Sequence, residues 1–410
     1  MADTTGTPHK AAGRDKEITS SVHAAKILIV DDMVLMQRMI GLCLNRGGFE
    51  NLLYASDGDQ ALKMIEEFMP DLVVLDLNMP TVSGYEVCRT LRADPKYNSL
   101  PILVQSASEA PEERVEVFNS GATDFVSKPI NQPELLARVR MHLENKFLIH
   151  SLSDFRARIE NELVLAREMQ RSLLPEKASL IEIEKETRTI VESYYKASFE
   201  LGGDLWGGWL LPNNQLGFYV LDISGHGVAA ALNTFRVHAS MARFKDTMTD
   251  PALFLTELNK AMKASFQLGQ FGTMFYAVLN YETGTLTYAG AGAPRPMIIS
   301  GTNVRLLDSS GIPVGVLKEP KYENHNDRLE VGESIFCYSD VLIEAPMAGG
   351  AILGEDGLID WVKELVKSKG RTQLTANLLA RFFDTQPEAL PDDLTAVAIH
   401  RRSGIEEGNA

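Results

Sequence analysis

Between Pro133 and Pro175 the chain contains neither glycine nor proline. These are the two residues that most often end a helix, so the stretch has nothing to interrupt one. Asn131, Pro133 and Glu134 form a helix start: a capping side chain, a ring that presets φ, and an early negative charge. Pro175 lacks an N–H and pushes Leu174 out of helical geometry, so the spacing predicts one helix from Pro133 to Pro175. At a rise of ~1.5 Å per residue it would extend roughly 60 Å, more than one domain core uses. Leu148, Leu152, Phe155, Ile159, Glu162, Ala166, Met169 and Leu173 alternate by four and three along it. That is a heptad seam with one charged intruder, and it predicts a parallel coiled coil joining two copies of the chain. Glu162 and the small Ala166 would make such a coil weak and switchable. The alternative is an amphipathic helix laid on its own neighbouring domain.

A rod this long must join something on each side, and 410 residues suffice for two or three domains. The pattern suggests a disordered start over 1–24, a first domain over 25–132, the helix over 133–175, a second domain over 176–402 and a disordered tail over 403–410. A net charge of −15 argues against nucleic acid as a partner. Cys43, Cys88 and Cys337 are odd in number and without a CxxC pair, as in a reducing compartment. No apolar run approaches the ~18 residues of a membrane span, and the N-terminus lacks a signal-peptide core. The expectation is a soluble, cytoplasmic protein.

Short apolar runs alternate with helical segments through the first domain. The strands are expected at 26–30, 52–55, 72–76, 101–105 and 123–126, with helices at about 34–45 and after Asp57, Ser83 and Ala110. Five such units predict an α/β fold, a doubly wound parallel sheet whose chemistry sits at the carboxyl ends of its strands. Asp31 and Asp32 follow the first strand, Asp76 ends the third, Ser106 and Ala107 follow the fourth, and Lys128 with Pro129 follows the fifth. Three converging carboxylates repel one another unless a hard divalent ion joins them. A lysine and a hydroxyl beside that ion can hold a phosphoryl group, and a carboxylate can accept it.

These residues resemble the receiver domain of two-component response regulators, over the whole segment. The resemblance implies that Asp76 is phosphorylated by a sensor histidine kinase or phosphotransfer protein. It further implies that Asp32, Asp76 and the Asn78 carbonyl hold Mg2+ with help from Asp31, and that Ser106 and Lys128 contact the phosphoryl group. Phe125 stands where the family has its aromatic switch, in place of the tyrosine of many relatives.

From about 180 the pattern changes to strands joined by turns, with helices from Val228 to about Lys245 and from Pro251 to about Phe266. Segments 216–223, 273–281, 285–290, 333–340 and 395–400 read as strands, and the succession predicts an α+β layered sandwich. Asp204, Asp222, Asp340 and the Asp392–Asp393 pair stand at strand ends. Four such acidic edges predict bound divalent metal. Two ions sharing Asp222 could activate a bridging water against a phosphate ester.

The segments LGGD, LDISGHG, YAGAGAPRP, GIPVGV, YSDVLIEA and PDDLTAV, in that order, resemble the SpoIIE-like branch of PPM-type serine/threonine protein phosphatases. By that resemblance two Mn2+ or Mg2+ ions are held by Asp204, Asp222, Asp340, Asp392 and the Ile223 carbonyl, with Asp204 and Asp222 central to catalysis. The substrate it implies is a phosphorylated anti-sigma-factor antagonist. Three positions depart from the family: Gly207 replaces an aspartate, Val341 a turn glycine, and Ala291 a histidine. These keep a second reading open, a weakly catalytic domain acting as a phosphorylation-gated binding adaptor. A nucleotide cyclase fits poorly, because Leu205 and Trp206 follow the Gly-Gly-Asp turn. His226 reads as a loop residue that could touch phosphate, and Trp206 and Trp209 as core or docking residues.

Overall fold

The computed structural model describes residues 20–402 apart from 107–110, 348–349, 371–372 and 386–389. The expected disordered ends fall largely outside these residues, as does Ala107. Residues 20–23 are an exception: they form a helical turn that buries Val22 and stacks His23 on Phe49. The chain divides into two units, Met1–Ile159 and Glu160–Ala410.

In the first unit the strands are β1 (Ile27–Val30), β2 (Leu52–Ala55), β3 (Leu72–Asp76), β4 (Ile102–Ser106) and β5 (Asp124–Ser127). They lie in the order β2-β1-β3-β4-β5, all parallel. The runs ILIV and LVVLD are buried on both faces, because helices cover each side. Helices α1 (Val34–Arg46), α2 (Gly58–Phe68), α3 (Gly84–Ala93) and α4 (Pro111–Asn119) alternate with them. Asp57 caps α2, and Ser83 with Glu86 forms a reciprocal capping box on α3. Leu28, Val30, Val73 and Leu75 face one layer of helices, and Ile27, Ile29, Leu72 and Val74 the other. Helix α5 (Gln132–Arg171) closes the series with Leu135, Val139 and Leu143 in the second layer.

Helix α5 crosses the boundary between the units and stops before the expected Pro175. Its last turns tighten, with Leu173 N–H donating to Gln170 and Leu174 N–H to Arg171. Leu173 and Leu174 then enter the second unit's core, which ends the helix earlier than the proline requires.

The second unit contains two antiparallel sheets. One has the order β13-β10-β9-β8-β7, the other β12-β11-β14-β15-β6. The strands are β6 (Thr189–Lys196), β7 (Leu205–Leu211), β8 (Gln215–Ile223), β9 (Gly272–Asn280), β10 (Thr285–Ala291), β11 (Met297–Ser300), β12 (Asn303–Leu306), β13 (His325–Arg328), β14 (Ser334–Tyr338) and β15 (Leu394–Arg401). Strand β8 shows how the layers form. Leu216, Phe218 and Val220 meet Ile335, Cys337, Val397 and Ile399 of the other sheet, while Tyr219, Leu221 and Ile223 face α7 (Val228–Met241) and α8 (Pro251–Ser265). Period-two alternation with two apolar partners turns the whole strand hydrophobic. Helices α9 (Val341–Glu344), α10 (Gly354–Lys369) and α11 (Leu374–Thr385) cover the outer face of the second sheet. Helix α6 (Lys177–Thr187) contributes Ile183 to the inter-sheet layer.

Two expected boundaries move. Helix α7 ends at Met241 rather than near Lys245, where the chain tightens into a short turn that buries Met248. Asp340 is not a strand residue: β14 ends at Tyr338, and Asp340 caps α9 in helical geometry. Among the described residues no helix is long and apolar enough to cross a membrane.

Candidate phosphoacceptor and metal sites

The first site forms where β1, β3, β4 and β5 end side by side. Asp31 and Asp76 are buried, Asp32 is exposed, and their carboxylate oxygens lie within 4.8 Å of one another. Among the described residues no other three His, Cys, Asp or Glu side chains meet that limit. Lys128 Nζ lies 2.9 Å from Asp76 Oδ2 and 3.7 Å from Asp31 Oδ2. The Lys128 N–H donates to the Ser106 carbonyl, which places both residues over the same edge. Burial raises the Asp31 carboxyl above its usual range, helped by Asp76 and Asp32 and opposed by the Met33 N–H and Lys128. Asp31 Oδ2 is buried without a hydrogen-bond donor. An orphaned anionic oxygen among three carboxylates suits a hard cation, so the donor set fits Mg2+. The Asn78 N–H reaches Asp76 Oδ1 at 3.4 Å, and Asn78 itself is exposed beside the site.

Phe125 is half-buried between two guanidiniums, Arg114 of α4 at 4.9 Å and Arg138 of α5 at 5.6 Å from the ring centre. Phe118 meets its edge. Arg138 is fixed by two 2.7 Å hydrogen bonds to Asp124, which also meets His142 Nε2 at 2.9 Å. This cluster was not legible in the sequence, because Asp124 precedes Phe125 and the partners of Asp124 stand more than ten positions away.

The second site gathers at one edge of the two sheets. Asp204 is fully buried before β7, Asp222 sits near the end of β8, Asp340 caps α9, and Asp392 precedes β15. Burial raises the Asp204 carboxyl well above its ordinary value, and Asp222 raises it further. Asp222 is pushed up to about 7, first by burial and then by Asp340, Asp392 and Asp393. Asp340 and Asp392 are also raised, each chiefly by burial. Asp204 Oδ2 has no hydrogen-bond donor. Mutual repulsion among clustered, partly buried carboxylates is what cations relieve, so this donor set fits divalent metal too.

Asp393 holds the site differently from its neighbour. Its carboxylate accepts from the Ser198 N–H at 2.7 Å, the Ser198 hydroxyl at 3.0 Å and the Gly203 N–H, and so fixes the loop that presents Asp204. Ser339 clamps Asp340 to the same region by donating to the Asp393 carbonyl and accepting from the Thr395 N–H. Both glycines before Asp204 are required by space. A Cβ on Gly202 would lie 2.5 Å from the Tyr195 hydroxyl, and one on Gly203 2.5 Å from the Ile223 carbonyl.

Gln170, near the end of α5, is the residue sequence reasoning missed. It is buried and grips the same loop: its amide donates to the Gly202 carbonyl at 2.6 Å and Thr234 Oγ1 at 3.2 Å, and accepts from the Gly202 N–H at 3.1 Å. Its only signal was an uncharged amide among charged neighbours.

Two of the three departures, Gly207 and Val341, have packing explanations. A Cβ at Gly207 would lie 2.7 Å from Cε1 and 2.9 Å from the hydroxyl of buried Tyr219. Val341 is buried in helical geometry, where no glycine is needed. Trp206 is in the core, and Trp209 packs on Tyr219, Phe254 and Tyr276. His226 is exposed and stacks on Phe199. Of the predicted seam, Leu148, Leu152, Phe155, Ile159 and Met169 are exposed, Ala166 is half-buried, and Leu173 packs into its own unit instead.

Comparison with known families assigns both units. Residues 27–140 match the model of the response regulator receiver domain, and residues 212–402 that of stage II sporulation protein E (SpoIIE). The chain joins a response regulator receiver domain to a SpoIIE phosphatase domain. It is 36% identical over 129 residues to the response regulator PleD of Caulobacter vibrioides, covering 32% of this chain and 28% of PleD. It is 41% identical over 118 residues to the DNA-binding response regulator MtrA of Mycobacterium tuberculosis, covering 29% of this chain and 50% of MtrA. The chain thus spans half or less of the length of these relatives. The SiaA-PP2C domain of Pseudomonas aeruginosa shares the fold of the second unit, with a TM-score of 0.54 and 21% identity, covering 60% of this chain and 98% of that one.

Proposed function

We propose that the chain is a response regulator whose receiver, phosphorylated on Asp76, controls a metal-dependent phosphatase acting on phosphoserine or phosphothreonine of a partner protein. The observation that carries the reading is the set of mutually repelling aspartates Asp204, Asp222, Asp340 and Asp392, the first buried and the others half-buried, brought together from four separate places in the chain. In the receiver, an Asp76 oxygen attacks the phosphorus of a phosphohistidine on a kinase or phosphotransfer protein. The histidine nitrogen leaves with its electron pair. Lys128, already paired to Asp76, moves its charge onto the phosphoryl oxygens, and the Ser106 hydroxyl donates to them. Mg2+ held by Asp31, Asp32, Asp76 and the Asn78 carbonyl would neutralise the same oxygens.

In the phosphatase, the sheet edge would present the substrate ester to these aspartates, and burial and mutual repulsion disfavour the ionised forms of Asp204 and Asp222, a cost that metal ligation would relieve. Mn2+ or Mg2+ ions held by the four aspartates and the Ile223 carbonyl would acidify a water and neutralise the ester. Control runs through α5, which carries both Arg138 beside the Phe125 switch and Gln170 on the Asp204 loop. A homodimer formed along Leu148, Leu152, Phe155 and Ile159 would give that helix two states. By resemblance the partner is an anti-sigma-factor antagonist. The alternative is a weakly catalytic, phosphorylation-gated adaptor, which the departures at Gly207 and Val341 favour and the retained set of four aspartates opposes.

The test is Mn2+-dependent hydrolysis of p-nitrophenyl phosphate by wild type, Asp222→Asn and Asp76→Asn, each with and without acetyl phosphate. Activity lost in Asp222→Asn, with a donor response lost in Asp76→Asn, is expected. Activity retained in Asp222→Asn would refute the metal-site assignment.

A further inference from the structure

Two loops beside the metal loop display apolar side chains to solvent. Residues 266–271 read FQLGQF and residues 311–317 read GIPVGVL, without a charge in either, in a chain that is 23% charged. Ser224 N–H donates to the Phe271 carbonyl at 2.9 Å, and Phe271 N–H to the Ser224 hydroxyl at 3.0 Å. The first loop is therefore bonded directly to the segment that follows Asp222. The second is bonded to the first through paired Gly272 and Val314 main chains, at 3.0 and 2.8 Å.

Both loops are braced by hydrogen bonds. Gln267–Gln270 is a closed turn: Gln270 N–H donates to the Gln267 carbonyl, and Gln267 N–H to the Gln270 side chain, both at 3.0 Å. Gly269 takes positive φ, which leaves Leu268 at the tip, 103% exposed. Buried Asn259 holds Gly315 N–H at 2.8 Å and the Leu317 carbonyl at 3.1 Å, and Lys263 holds the Val316 carbonyl at 2.9 Å. Phe271, Ile312, Val316 and Leu317 are exposed around the same lip. Braced display of apolar side chains is the arrangement that binds at low ordering cost.

We propose that these loops form a docking lip for the phosphoprotein substrate, taking up an apolar side chain near the phosphorylated residue. The proposal rests on the phosphatase reading above. A body seated on the lip lies against the metal loop. A second copy seated there would cap the aspartates and block turnover, whereas a substrate must approach them. The uncharged loops suit an apolar contact rather than an ionic one.

Two phosphoserine peptides serve as probes, one with leucine and phenylalanine two to five residues from the phosphoserine and one with serines there. p-Nitrophenyl phosphate reports the chemistry without docking. The wild type is expected to show a KM for the apolar peptide on the order of tenfold lower, the worth of burying one such side chain. Leu268→Asp should erase that difference, and Leu268→Met should restore it. Equal KM values in the wild type, or a preference surviving in Leu268→Asp, would overturn the proposal. So would a dimer in sedimentation that Leu268→Asp converts to monomer without changing the peptide KM values. If no substrate is hydrolysed, the phosphatase reading fails, and anisotropy with the phosphonate forms of both peptides still decides the lip by the same difference in affinity.

Discussion

Replacing Gln170 by alanine should loosen the catalytic loop from the helix side. The Gln170 side chain is 3% exposed and makes three hydrogen bonds, two to Gly202 and one to Thr234. Alanine leaves the Gly202 N–H and carbonyl buried without that partner, at about 1–3 kcal/mol for an orphaned group, and adds a small cavity. The groups are adjacent and relax together, so the sum is about 2–4 kcal/mol rather than the total of the parts. For a unit of this size that lowers Tm by roughly 5–10 °C. The second effect is on metal. Gly202 precedes Gly203 and Asp204, so each ~1.4 kcal/mol by which the loop favours a displaced state weakens metal binding about tenfold. Differential scanning calorimetry gives the first number, and Mn2+ titration of ester hydrolysis the second. Gln170→Glu is the control, since it keeps the acceptor for Gly202 N–H but loses the donor. A lower Tm with an unchanged half-saturating Mn2+ concentration would mean that Gln170 is a packing residue only.

Further outcomes follow from other contacts. Gly207→Asp, which restores the family's usual residue, should cost about 1–3 kcal/mol through overlap with Tyr219, read as a lower urea midpoint; an unchanged midpoint would show that Tyr219 yields freely. Asp393→Ala should release Ser198 and Gly203 and raise the Mn2+ requirement, while Asp393→Asn keeps part of the clamp and should fall between it and wild type. Burial opposes ionisation of Asp124, but His142, Arg138 and the Phe125 N–H together hold its carboxyl below the usual range. The unfolded chain then binds the extra proton, so this stabilisation is present above about pH 4 and is lost as the pH falls through the lower folded value. Asp124→Asn should lower receiver stability above pH 4 and flatten its acid limb, and an unaltered slope in urea unfolding from pH 6 to 3 would refute that account.

The first site was almost entirely legible in the sequence because each of its residues follows a strand that announces itself. ILIV, LVVLD and ILVQS are continuous apolar runs, and parallel βα topology dictates that their carboxyl ends meet. Asp31, Asp32, Asp76 and Lys128 needed only that rule. The second site was legible as a set of aspartates but not as a mechanism of support. Asp393 and Asp392 are adjacent and chemically identical, yet one faces the loop of Gly203 and the other the metal edge. Both stand in the bend just before β15, so no strand alternation tells them apart, and only the fold of that bend says which is which. Strands such as HNDR in β13 carry no hydrophobic signal, since their side chains are half-exposed and their pairing with β10 is made by main chain.

By itself, then, the sequence determined the two domains, the unbroken helix over most of 132–171, the receiver's acidic edge and the strand-end aspartates that the second unit gathers at one edge. These depend on local periodicity and on residue type, which the chain carries in order. The tertiary structure alone decided where that helix stops, that Leu173 belongs to a core rather than a seam, that Gly207 is imposed by Tyr219, and that Gln170 grips the loop of Asp204. Each of these is a contact between residues distant in sequence, or a contest for one volume, and no local pattern encodes which neighbour a side chain will meet.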